Sequence, residues 1–185
     1  MIDINYEGKL YHIKNTTKDY TVGEFEELCH ILNTDMYKYD KYVKILLISG
    51  VSQEIIDNLD VDELLLLVKE FNFDYKQGKI IKEFKINGIK YTCYDKSFKL
   101  TVKNMLLIET YMTLNPQKYF GEVLAILYTN KDCVLSLTDK AKLIRETIPA
   151  EIVIPIIYEV TANIIDNLNL ILNDNITDQL GTSEL

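Results

Sequence analysis

Residues 8–50 of this chain align without a gap on residues 88–130, with eight identities in 43 positions. Gly8, Tyr11, Thr21, Val22, Lys38, Tyr39, Val43 and Leu47 reappear as Gly88, Tyr91, Thr101, Val102, Lys118, Tyr119, Val123 and Leu127. The apolar positions between them correspond as well: Phe25 falls on Met105, Leu28 on Ile108, Ile31 on Tyr111, Leu32 on Met112 and Leu46 on Ile126. The matches stand at turn, cap and core positions, where backbone conformation and burial restrict the residue. A chain that carries the same local instructions twice is expected to build two similar units around a pseudo-twofold axis.

Each unit opens with the signature of a β-hairpin. Glu7-Gly8 separates Ile2–Tyr6 from Lys9–Ile13, and Asn87-Gly88 separates Lys82–Ile86 from Ile89–Tyr94. A two-residue turn of this kind needs positive φ at both central positions, which Asn-Gly supplies. Polar loops follow, and then Thr21 with Glu24 reads as a capping box. Phe25, Leu28, Ile31 and Leu32 give the inward stripe of the first helix. Its counterpart begins at Thr101 and turns Met105, Ile108, Tyr111 and Met112 inward.

A second helix carries Met36, Tyr39, Val43, Leu46 and Leu47. Its counterpart is expected to start at Asn115 as cap with Pro116 in the first turn. Ser52 caps a short third helix, and Asp60 with Glu63 frames a fourth. Near 130–137 an insertion shifts the correspondence from 80 to 88, so that Ile55-Ile56 meets Leu143-Ile144.

The expected fold class is therefore α+β and mostly helical, a duplicated unit of β-hairpin followed by helices. Residues 1–72 form the first repeat, 73–81 a linker around Gly78, 82–173 the second repeat and 174–185 a polar, frayed tail. An isolated hairpin is marginal in water. The two hairpins are thus expected either to pair into one sheet or to lie each on its own helices, within one compact domain.

Composition narrows the function classes. An apolar fraction of 48% with 26% charged residues describes a folded domain. The net charge of −8 repels a phosphate backbone, and the lysines are scattered among acids along most of the chain. Arg145 is the single arginine among 20 basic residues, which removes the usual bidentate reader of phosphates and bases. No nucleic-acid partner is expected. Cys29, Cys93 and Cys133 have no metal or disulfide spacing and read as free thiols of a reducing compartment. Neither a leader nor a membrane span is visible. The apolar run from Ile152 to Tyr158 is far short of the ~20 residues a bilayer requires.

The possible reactive groups do not converge. Asp57, Asp60, Asp62 and Glu63 form the nearest approach to a metal site, but Val61 and Leu64 interrupt them, and acids at helix starts are explained by capping and dipole. His12, Cys29 and His30 lack the spacing of a zinc site or of a nucleophile pair. No phosphate loop, serine elbow or paired-histidine motif is present. No catalytic residue, cofactor or metal is assigned. Tyr37, Tyr39 and Tyr42 suit core packing or a protein interface. The last helix carries more apolar surface than one core face needs, so it reads first as a central helix joining the halves. A partner-docking face is the sharper alternative, with Ile156, Ile157, Val160, Ile164, Leu168 and Ile171 as candidate partner-binding residues.

The doubled hairpin, the Thr-Val helix starts at Thr21-Val22 and Thr101-Val102 and the apolar helices after them resemble small structural and assembly proteins of tailed bacteriophages. The heavy use of lysine, isoleucine, asparagine and tyrosine is similar to that of the crAss-like phages of gut Bacteroides. This resemblance implies a non-enzymatic virion or tail-assembly protein, located in the virion or in the host cytoplasm during assembly. Its partners would be other phage structural proteins or copies of itself. The alternative is a small-ligand or metal-dependent enzyme using a cleft between the repeats, lined by His12, Cys29 or Asp57 to Glu63.

Overall fold

The structure, a computed structural model, describes residues 1–71, 79–93, 101–130, 135–157 and 159–160. Both two-residue turns form as their sequences require. Glu7 and Gly8 have φ of 49° and 76°, and Asn87 and Gly88 have φ of 51° and 80°. This left-handed pair matches the twist of the strands it joins. Strand β1 (Ile2–Tyr6) therefore pairs antiparallel with β2 (Lys9–Ile13), Tyr6 opposite Lys9. Strand β3 (Glu83–Ile86) pairs with β4 (Ile89–Cys93), Ile86 opposite Ile89. The hairpins do not join each other: each belongs to its own sheet.

The second sheet gains β5 (Tyr128–Thr129), with Thr92 opposite Thr129 and Cys93 opposite Tyr128. In the first half the Lys14 amide donates to the Ser49 carbonyl at 3.0 Å, tying the end of β2 to the end of the second helix.

Helices fill the rest of each half: α1 (Val22–Asn33), α2 (Lys38–Ile48), α3 (Gln53–Asn58) and α4 (Val61–Lys69), then α5 (Val102–Leu114), α6 (Phe120–Leu127) and α7 (Leu137–Thr147). A 3-10 turn at Ala150–Ile152 leads into helical backbone over 153–157. The architecture is α+β and mostly helical, as expected.

The starts of the helices follow their capping chemistry. Thr21 accepts from the Glu24 amide at 3.3 Å while Glu24 accepts from the Thr21 amide at 2.9 Å. Asp60 and Glu63 repeat the arrangement at 2.8 and 3.0 Å, and Thr101 accepts from the Asn104 amide at 3.2 Å. Ser136, a cap not read from the sequence, accepts from the Asp139 amide and starts α7.

Three expectations change. Asn115 does not cap the helix after it. It closes α5, its carbonyl accepts from Lys118 across the 3-10 turn Pro116–Lys118, and α6 begins only at Phe120. The rigid proline φ forms a tight turn here rather than the first turn of a longer helix. On α2 the buried line is Ile45 and Leu46, while Tyr39 and Leu47 are half exposed. The stripe is displaced because α1 and the first hairpin approach α2 from neighbouring sides. Leu32 on α1, expected to face inward, is also half exposed.

Apolar residues form two clusters. The larger takes Val22, Phe25, Leu28 and Ile31 from α1 together with Phe120, Val123, Leu124 and Leu127 from α6, Ile144 from α7 and Ile152 to Ile156 beyond it. The smaller lies within the first half and joins Ile13, Leu46, Val51, Ile55, Ile56 and Leu64. Helix α1 is thus enclosed by second-half elements as well as by its neighbour α2.

Candidate functional site

The seam between α1 and the second half holds the densest charged cluster among the described residues. Arg145, projecting from α7, donates from Nε to Glu26 Oε2 of α1 at 2.5 Å and from Nη2 to Glu122 Oε2 of α6. Its Nη2 also reaches the Lys118 carbonyl at 3.3 Å. The second Glu26 oxygen, Oε1, accepts from the Gly121 amide at 2.8 Å. Glu26 is buried, and the Arg145 and Glu122 side chains are largely so.

Glycine makes this approach possible. A Cβ on Gly121 would lie 2.9 Å from Arg145 Cγ and Cζ, and one on Gly23 would lie 3.2 Å from Arg145 Cβ. The first distance is shorter than packed carbons tolerate and the second is tight enough that the arginine would have to shift, so the two glycines form a slot for the arginine stem.

Electrostatics follow from this enclosure. Burial pushes the Glu26 carboxyl above its ordinary value, against the pull of Arg145 and the Gly121 amide, and the Glu122 charge adds to the rise. Burial works against the Arg145 charge, but the bonds to Glu26 and Glu122 outweigh it and raise its pKa. Both Glu26 oxygens are engaged, so the cluster ties α1, α6 and α7 together.

Below the cluster the entry to α1 is stitched to the corner before 150. The Val22 amide donates to the Ile148 carbonyl, the Ala150 amide donates to the Tyr20 carbonyl, both at 2.8 Å, and Thr21 bridges to Pro149. Tyr20 is itself buried, with its hydroxyl 2.7 Å from the Lys14 carbonyl and from Ser49 Oγ. Burial raises its pKa to about 12.

The residues singled out from the sequence lie elsewhere. His12 sits on β2 with Nδ1 2.7 Å from Asp3 Oδ1 across the hairpin, in an exposed pair. Cys29 is buried on α1, His30 points outward beside it, and Cys93 is half-buried in β4; Cys133 lies outside the described residues. Asp60 and Glu63 cap α4, and Asp57 accepts from Gln53 at 2.7 Å. No group of three or more metal-ligating side chains converges among the described residues. Of the candidate partner-binding residues, Ile156 is 2% exposed within the core. Ile157 and Val160 are partly buried against it, and Ile164, Leu168 and Ile171 lie outside the described residues.

Sequence reading did not find Glu26, Glu122, Gly23 or Gly121. The available signal was the solitary Arg145 among lysines together with two glycines at helix starts. Among the described residues no helix is long and apolar enough to cross a membrane. Compared with protein-family models, curated proteins and solved structures, the chain matches none.

Proposed function

We propose that this chain is a non-enzymatic structural or assembly protein of a tailed bacteriophage, built from a duplicated hairpin-and-helices unit and acting through protein–protein contacts. The observation that carries the reading is the surplus of exposed apolar surface on α5. Val102, Leu106 and Leu114 are 76%, 57% and 69% exposed, whereas Val22, which corresponds to Val102, is fully buried. Val102 and Leu106 stand four residues apart on one side of α5, and contiguous apolar surface of that kind marks contact faces. Duplication is supported by the shared hairpin register at a shift of 80 and by the matching caps at Thr21 and Thr101. The phage assignment rests on the pattern and residue usage described above.

The enzyme reading takes second place because the boundary between the halves is filled by Val22, Phe25, Glu26, Ile144 and Arg145. The test is fractionation of purified particles and assembly intermediates, with quantitative mass spectrometry of the full chain. Recovery in stoichiometric amount with other structural proteins is expected. A chain found only free, at every stage, contradicts the proposal.

A further inference from the structure

Within the chain, one helix start fills one corner. The start of α1, at 20–22, is bonded to the corner at 148–150 between α7 and the helical turns after it. The duplicated counterparts of these two pieces are 100–102 at the start of α5, of which Thr101 and Val102 are described, and the corner at 60–62 between α3 and α4. These counterparts are left open. Thr101, Val102 and Lys103 are exposed, and so are Asp60, Val61 and Asp62, with Val61 at 55%.

The two open pieces complement each other in charge and in apolar character. Residues 54–63 hold Glu54, Asp57, Asp60, Asp62 and Glu63 and no base. Residues 76–103 hold eight lysines and two acids, a concentration that departs from an even scatter of charge. Lys103 and the positive dipole end of α5 stand at this helix start, and Val102 stands beside Lys103 as Val61 stands between Asp60 and Asp62. The correspondence extends into the seam: Gly23, which packs on Arg145, matches Lys103, and Arg145 matches Asp57.

We infer that the start of α5 in one chain docks on the α3–α4 corner of a second copy, Val102 against Val61 and Lys103 against Asp57 and Asp62, repeating between molecules the contact that α1 makes within one. The inference rests on the reading of the chain as a duplicated, contact-making protein. The docked pieces belong to different parts of the chain, so the contact is head-to-tail, and each copy offers one of each. Such contacts close into rings or continue as filaments.

The test uses the full chain in sedimentation velocity and light scattering. The wild type should exceed monomer mass, and added salt should lower that mass because the contact is charged. Lys103→Glu and Asp62→Lys should each weaken association about tenfold, and the two together should restore it. Val102→Glu should give a monomer. A mixture of Val102→Glu with Asp62→Lys chains should yield a one-to-one pair, because one retains its corner and the other its helix start. Circular dichroism melts matching the wild type establish that each variant is folded.

A wild type that is monomeric at its highest soluble concentration overturns the inference. So does an assembly whose mass none of these changes alters, or a Lys103→Glu change whose only effect is loss of a salt-sensitive shift with duplex DNA. A monomeric chain that still enters particles with other structural proteins sinks the self-contact and leaves the proposed function intact.

Discussion

Arg145 illustrates how one side chain can hold a seam that hydrophobic packing alone would leave free to slide. Its partners come from two other helices, and its stem needs the slot between Gly23 and Gly121. Replacing it with methionine leaves Glu26 and Glu122 close together without their cation, and a loss of about 2–4 kcal/mol is expected in denaturant unfolding. Gly121→Ala would ordinarily favour a helix by up to about 1 kcal/mol. Here the added methyl meets an arginine held by ion pairs, so a net loss of about 1–2 kcal/mol is expected; a gain in stability would show that the slot is loose. The pH dependence has a definite sign. Glu26 is raised in the folded state, so its contribution is full below the ordinary glutamate pKa and is lost as pH rises through the raised value. Glu24 behaves oppositely. Burial raises it, but the Lys14 ammonium and the Thr21 amide pull it below its usual value, so its contribution disappears on acidification through that lowered value. Thermal melts across pH should show Glu26→Gln flattening the gain on mild acidification and Glu24→Gln flattening the later fall. A Glu26→Gln profile parallel to the wild type at every pH contradicts this account.

At the level of elements, the two hairpins make the same turn with different residues. Asn87-Gly88 suits the left-handed pair, whereas Glu7 holds φ of 49° without the local hydrogen bonding that an asparagine side chain provides. Glu7→Asn should therefore stabilise the first hairpin by about 0.5–1 kcal/mol, while Gly88→Ala should cost about 1–2 kcal/mol. Chemical denaturation measures both, and an unchanged midpoint for Glu7→Asn would mean that the turn is not strained. The helices differ in how they are enclosed. Helix α1 buries Val22, Phe25, Leu28, Cys29 and Ile31, whereas α5 fully buries only Ile108. Local opening follows burial, so amides in α5 should exchange at least about tenfold faster than those in α1 in native-state hydrogen exchange. Equal protection in a monomeric sample would show that α5 is held by something other than its buried contacts.

At the scale of the whole molecule, the hairpin-and-helix stretches before and after residue 80 sit in different environments. A helix start of the first half is bonded to a corner of the second half, whereas among the described residues Thr101, Val102 and Lys103 and the corner at 60–62 are exposed. Self-association should accordingly slow exchange in α5 more than in α1 as concentration rises. The local plan was legible in the sequence because turns, caps and stripes are decided by a few neighbouring residues. Gly8 and Gly88 permit positive φ, Thr21 and Thr101 satisfy orphan amides, and a period near 3.6 marks a buried face. The candidate site was not legible. Glu26 and Arg145 stand 119 positions apart, and nothing local distinguishes a carboxylate that meets an arginine from one that meets water. Nor could Asn115-Pro116 reveal that it would close one helix instead of opening the next. The turns, the caps and the two hairpins with their following helices are written in neighbouring residues, because each depends on short-range sterics and hydrogen bonding. Which helix faces are covered, and where the lone guanidinium finds its carboxylates, emerges only when distant segments pack, because burial belongs to the folded whole.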